Sequence, residues 1–328
     1  MTGPRQRVTS LDVARAAGVS QSAVSRAFTA GASVAPDTRA RVLAAASALG
    51  YRPNILARSL VSRTSGLVGI VMGHLTNPFY PAVLEAFGAT LRQVDKRMLL
   101  IPVPDGDVDQ VIGEVLQHQV DGIVIASATL SSALAEECAR QGRPVVLFNR
   151  TTTAPTVATV SCDNEGAGRL VARALVAAGH TRLLYVAGTP DSSTNLERER
   201  GFHAEAAALG AGVRVVAGLY HYETAFAAVT AALQDPPEAV FAANDVMGCA
   251  AIDAARRRGL AVPRDLSVIA MDDGPMAAWA GYDLTVIRQP VAAMVAAAVD
   301  LLLAAGSGAP PAHVRLPGTL TRRGSARL

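Results

Sequence analysis

The stretch Val8–Phe28, VTSLDVARAAGVSQSAVSRAF, decides how this chain is read. Thr9 or Ser10 can accept from the free N–H groups of a helix starting near Leu11, and Asp12 suits its positive first turn. Leu11, Val13, Ala14 and Ala17 then share an apolar face. Gly18 supplies a left-handed residue that ends this helix, Ser20 caps the next, and Ala23, Val24 and Ala27 turn inward. Two helices joined so tightly have helix-turn-helix spacing, in which the second can lie in the DNA major groove. Gln21, Ser22 and Arg26 remain on its free face. Glutamine can pair with adenine and arginine with guanine, each in bidentate fashion. Ordinary helical domains also contain such pairs, so the rest of the chain must decide.

Pro36 and Asp37 open a third helix, TRARVLAAASALGY, whose apolar face closes a three-helix head. Next comes YRPNILARSLVSRTSG, Tyr51–Gly66. Pro53 suits a helix start, and Asn54 to Leu60 are enough for about two turns, too short to be stable alone. Ala57 and Leu60 on one side, with Arg58 nearby, suit a helix in a minor groove, where an apolar wedge unstacks a base step. A plain linker is the alternative.

Charge is segregated. Residues 1–63 hold nine arginines against Asp12 and Asp37, a local charge of +7 within a total of +3, so the remainder carries −4. A basic module on a mildly acidic body has the footprint of a nucleic-acid-binding head. Lys96 is the only lysine, so coding bias explains the choice of arginine but not its separation from acids. With 328 residues, half of them apolar, the chain can bury a large core and form more than one domain. It has no apolar run long enough to span a bilayer and no secretory signal, which predicts a cytoplasmic protein without a membrane partner. Cys138, Cys162 and Cys249 are too far apart for a metal motif and odd in number, and read as buried free thiols.

VTSLDVARAAGVSQSAVSRAF followed by LGYRPNILARSL resembles the head and hinge of the LacI/GalR family of bacterial transcription regulators, and the similarity continues over essentially the whole chain. The resemblance implies a homodimer on a near-palindromic double-stranded operator, with paired hinge helices ordered in the central minor groove. It places Gln21, Ser22 and Arg26 at base-reading positions, and Thr9, Ser20 and Ser25 in the phosphate-contact region. Asn54, Ala57 and Arg58 fall in the hinge, and Leu60 is its intercalating leucine. One departure is Thr29, where the family usually has asparagine.

The body reads independently as α/β. LVGIVM, MLLIPV, GIVIA and VVLFN alternate with helical patterns at 79–94, 108–118 and 131–141. A second series follows: VATVS, a helix from Gly166, LLYVA, a helix from Leu196, VRVVA, a helix from Thr224, AVFAA, a helix from Val246, and SVIAM. This predicts two doubly wound parallel-sheet units with a cleft between them. The family's effector module, similar to periplasmic sugar-binding proteins, has this organisation, with three chain crossings that fall here near 162–165, 287–291 and 318–322. The expected division is a head over 1–51, a hinge over 52–65 and a core over 66–328. Subdomain one takes about 66–162 plus 291–318, and subdomain two about 163–288 plus 320–328.

Ligands in such sheets collect at strand ends. Phe79 and Tyr80 open a helix after the first strand and can cover a sugar's apolar side. VVLFN ends at Asn149 and Arg150, AVFAAND at Asn244 and Asp245, and SVIAMDD at Asp272 and Asp273. The motifs ER-x-x-GF, AxND and xDD, matched as LERERGF, AAND and MDD, imply ligand contact for Arg198, Asn244 and Asp272. Tyr220 joins Phe79, Tyr80 and Asn149 in this effector set. Asp163, Asp245 and Asp273 read instead as helix caps.

No catalytic set assembles. GAGRLV imitates a dinucleotide-binding glycine motif but has Val171 at the third glycine, and nucleophile elbow, P-loop and HExxH are absent. No catalytic residue, cofactor or metal is expected. A ligand-responsive, sugar-controlled repressor explains head, hinge and body together. A transport receptor explains only the body, and an enzyme lacks its residues. The C-terminal AGSGAPPAHVRLPGTLTRRGSARL is broken by Pro and Gly and offers no tetramerising heptad, which favours a dimer.

Overall fold

The computed structural model describes the chain apart from residues 1–7, 30, 53–63, 74, 104–110, 112, 114, 116, 127–134, 136, 139 and 153–155. The expected hinge helix, with Asn54, Ala57, Arg58 and Leu60, lies outside the described residues, as do parts of the helical patterns at 108–118 and 131–141. The chain divides into two compact units, residues 1–65 and 66–328.

The first unit holds α1 (Ser10–Ala17), α2 (Gln21–Ala27) and α3 (Pro36–Leu49). Thr9 caps α1 through a reciprocal pair: its backbone N–H donates to Asp12 Oδ2 at 2.9 Å, and its own Oγ1 accepts from the Asp12 N–H at 3.4 Å. Gly18 ends α1 at φ +65°, and Ser20 caps α2 by accepting from the Ala23 N–H. Val13, Ala14, Ala17, Val24, Ala27, Val42 and Ala46 make a small core, flanked by Phe28 and Tyr51 with ring centroids 5.9 Å apart. Leu11, expected on the inner face, is 57% exposed. One turn of a helix this short has room for few inward positions, and Val13, Ala14 and Ala17 fill them. Arg39 donates to the carbonyls of Ala27 and Ala32, which ties the segment after α2 onto α3.

The second unit is built on two six-stranded sheets. Sheet one contains β1 (Leu67–Met72), β2 (Arg97–Pro102), β3 (Gly122–Ala126), β4 (Val145–Phe148), β5 (Ala158–Cys162) and β11 (His313–Leu316), all parallel, in the order β11-β5-β4-β3-β1-β2. Sheet two contains β6 (Arg182–Ala187), β7 (Gly212–Ala217), β8 (Ala239–Ala242), β9 (Ser267–Met271), β10 (Thr285–Arg288) and β12 (Thr319–Thr321), ordered β12-β10-β9-β8-β6-β7. Its edge strand β12 is antiparallel to β10. Strands β3, β4, β5, β8 and β9 are buried throughout, as expected where helices cover both faces. The C-terminal run that reads as broken chain supplies one edge strand to each sheet.

Three chain segments pass between the sheets: after Cys162, between Arg288 and the helix Val291–Gly306 that packs on sheet one, and between Leu316 and Thr319. They converge on Gly318. A Cβ there would lie 2.6 Å from Ile287 Cγ2, 3.3 Å from the Arg288 carbonyl and 3.3 Å from Cys162 Sγ, so only glycine fits.

All three cysteines are buried and unpaired. Burial pushes Cys162 and Cys249 up to about 12 and Cys138 up to about 11. Among the described residues no helix is long and apolar enough to cross a membrane.

Candidate functional site

Two surfaces carry chemistry. On the head, Gln21, Ser22, Ser25 and Arg26 are exposed along α2. Gln21 Nε2 donates to Ser10 Oγ at 2.9 Å, and the hydroxyls of Ser20 and Ser22 are 2.9 Å apart. Thr9 is partly committed to its cap, its hydroxyl donating to Asp12 Oδ2 at 2.7 Å. The basic end of α2 at Arg26 and the pre-set polar row before it can meet base edges and phosphates.

In the second unit a cavity of about 240 Å³ opens at the C-terminal ends of both sheets. Six of the seven residues expected to hold an effector line it together: Phe79, Tyr80, Asn149, Arg198, Tyr220 and Asp272. Three of them, Asn149 (φ +55°), Tyr220 (φ +63°) and Asp272 (φ +73°), have left-handed backbone, which non-glycine residues rarely adopt and which concentrates at functional sites. Each sits just beyond a strand, where the turn aims its side chain inward.

Arg198 is positioned by glycines. The helices Asn164–Ala177 and Ser193–Ala208 touch so closely that a Cβ on Gly168 would lie 2.3 Å from the Arg198 carbonyl, and one on Gly201 2.1 Å from the Glu165 carbonyl. The glycines of GAGRLV therefore serve a helix crossing and, at Gly166, the Asp163 cap. Buried Arg198 donates from Nε to Asn164 Oδ1 at 2.8 Å and from Nη1 to the Ala243 carbonyl at 2.5 Å. Asp272, also buried, accepts from Gln289 Nε2. Burial raises the Asp272 pKa, with the Arg198 charge opposing the shift.

Asn244 is a correction. It does not line the cavity; its Oδ1 accepts from the Met247 N–H at 2.9 Å and caps the helix Asp245–Arg257. Asp245, expected as that cap, instead accepts from the Gly274 N–H at 2.6 Å and holds the loop after β9. Asn244 takes the capping place because the helix begins one residue earlier than its apolar pattern suggests, and neither neighbour reaches the cavity. Asp273 is not a cap either: it pairs with Arg288 and Arg323. Asp163 does cap, accepting from the Gly166 N–H at 2.9 Å.

The lining also includes Thr76, Asn77, Ser192, Thr194, His221, Tyr222, Glu223 and Val246. Ser192, Thr194, His221, Tyr222 and Glu223 lie where helices start, at 193 and 222 instead of 196 and 224, while Thr76 and Asn77 precede the helix from Phe79 and Val246 is in the first turn of the helix from Asp245. The Tyr220 hydroxyl lies 3.4 Å from those of both Ser192 and Thr194, and its ring occupies the space a Cβ on Gly188 would need. Asn149 Oδ1 is buried and has no hydrogen-bond partner among the described residues. Among the described residues no group of three His, Cys, Asp or Glu could hold a metal ion.

Comparison with known proteins bears on both units of the chain. Residues 9–54 match the model of the bacterial regulatory proteins of the lacI family, and residues 172–326 match that of the periplasmic binding protein-like domain. The HTH-type transcriptional regulator MalR of Streptomyces coelicolor is 34% identical over 333 residues, covering 96% of this chain and 96% of that protein. This chain belongs to the LacI family. It is a DNA-binding transcription regulator, and members of the LacI family are regulators, not enzymes. Among solved structures, a lac repressor dimer bound to operator and the anti-inducer ONPF superposes with a TM-score of 0.90 at 26% identity, covering 98% of this chain and all of that one. A transcriptional regulator CelR–cellobiose complex matches with a TM-score of 0.74 at 30% identity, covering 97% and 100%.

Proposed function

We propose that this LacI-family regulator is a homodimeric repressor whose operator affinity is set by a small polar effector, a sugar or sugar derivative, held in the cavity. Gln21, Ser22 and Arg26 read base edges of a near-palindromic operator, while Thr9, Ser20 and Ser25 contact phosphates. Residues 52–65 form the hinge, with Asn54, Ala57, Arg58 and Leu60 at the minor groove, between a head over 1–51 and the effector core. The observation that carries the effector reading is the convergence of Asn149, Tyr220 and Asp272, all on left-handed backbone, with Arg198 on one cavity where Asn149 Oδ1 has no partner. Hydroxyls, which donate and accept, suit that set. The CelR–cellobiose complex and the lac repressor dimer are relatives of the kind this reading predicts.

The test is an operator titration with and without a saccharide that raises the melting point. The sugar should change wild-type operator affinity by roughly 5- to 150-fold. Asn149→Ala and Asp272→Asn should bind operator normally and lose the response. If both respond as wild type does, the effector sits elsewhere.

A further inference from the structure

Resting on that effector reading, we propose that the cavity takes an uncharged saccharide of two rings, and that Glu223 and Asp272 turn away phosphorylated and carboxylated sugars.

Four helices begin at the cavity: Phe79–Gln93, Ser193–Ala208, Tyr222–Ala232 and Asp245–Arg257. Helix N-termini attract anions, so a bare ring of four would favour a phosphate. Here Glu223 and Asp245 already occupy the first turns of two of them. Arg198 has little charge to spare, with two nitrogens committed to Asn164 and Ala243 and the Asp272 carboxylate close enough to feel its field. In the lining as a whole, Arg150 and Arg198 face Glu223 and Asp272, and the formal charges cancel. An anion reaching Arg198 also meets Asp272, and an ionised oxygen has no proton for the orphan Asn149 Oδ1. A sugar hydroxyl satisfies both neighbours.

The placement of aromatic rings sets the second half of the proposal. Aromatic rings line the cavity from both sides: Phe79 starts a helix that follows β1 of sheet one, and Tyr220 and Tyr222 follow β7 of sheet two. Each ring of a disaccharide can therefore find an aromatic face.

Calorimetric titration of the full-length protein with maltose, cellobiose, trehalose, glucose, glucose 6-phosphate and cellobionate tests this. At least one neutral disaccharide should bind about tenfold or more tighter than glucose. The two anions should give no binding heat, and Glu223→Gln, with an unchanged melting point, should bring one of them into the measurable range. An anionic sugar that binds wild type as tightly as the neutral ones, glucose that matches every disaccharide, or anions still excluded by Glu223→Gln would each overturn the proposal while leaving the sugar reading in place. Silence from every saccharide, in protein that still binds operator, overturns both.

Discussion

Gln289 donates from Nε2 to Oδ1 of Asp272 at 2.5 Å, so a carboxylate that faces the cavity is gripped by the chain just before it crosses from sheet two to sheet one. The next acid along repeats the arrangement on another side. Asp273 accepts from Arg288 Nε at 2.6 Å and from Arg323 Nη2 at 2.7 Å, and Arg323 lies just past β12. Consecutive aspartates thus hold the crossing after β10 from two sides, and anything that pulls on Asp272 pulls on that crossing too.

Asp273→Asn should cost about 1–3 kcal/mol, because Arg323, with its side chain only 15% exposed, keeps its charge and loses its ionised partner. Saccharide affinity should change little, since Asp273 is not in the lining. The change in operator affinity on adding saccharide should shrink. Thermal melts and operator titrations measure the two effects, and a variant that matched wild type in both would show that the clamp carries no energy.

Asp245 gives a pH signature. Burial, and secondarily the Asp272 charge, push it up to about 7 from an ordinary 3.8. The folded state therefore holds this proton more tightly than the unfolded chain, and stability from this group is lost as pH rises through about 7. Asp245→Asn keeps an oxygen for the Gly274 N–H and removes the titration. The variant should gain on wild type by about 1–4 kcal/mol between about pH 4 and pH 8. Denaturant midpoints across that range decide it, and a constant offset would contradict it.

Gly201→Ala should damage the effector site from a distance. Its Cβ would meet the Glu165 backbone at 2.1 Å, so the helix carrying Arg198 must shift. Overpacking of this kind costs about 1–3 kcal/mol or more. Loss of saccharide binding with operator binding retained is the expected pair of readings, and unimpaired saccharide affinity would argue that the crossing tolerates separation.

Much of this was legible and some was not, for identifiable reasons. The strands were plain because continuous apolar runs such as GIVIA have only one place to go in a sheet covered on both faces. Arg198 and Asp272 were marked by LERERGF and MDD. Helix starts were the weak point: Ser193 and Tyr222 begin helices with polar or aromatic residues, so Ser192, Thr194 and Glu223 looked like loop. The Asn244 and Asp245 roles differ by one residue of register, which composition does not encode. Gly168 and Gly201 were visible as glycines, but that they serve one close crossing depends on which helices become neighbours. Gln289 had no motif; it matters because of where β10 ends.

On the head, Arg26→Ala should weaken operator binding by about 1–3 kcal/mol and relax preference at one base pair in each half-site. Selection from a random duplex library, run with wild type and variant, measures this directly. Unchanged preference at every position would remove Arg26 from the base-reading set.

The meeting of three crossings at Gly318 makes the two sheets a lever with an almost pointlike fulcrum. A rotation of one sheet against the other that kept these contacts would turn about the place where Ile287, Cys162 and Gly318 meet, and displacement would grow in proportion to distance from it. Groups beside the fulcrum, Gln289 and Asp272 among them, can keep their bonds while the far ends of both sheets travel. A small angular change at the ligand would thereby be geared up, and the mechanical advantage would be set by a residue whose contribution is to have no side chain.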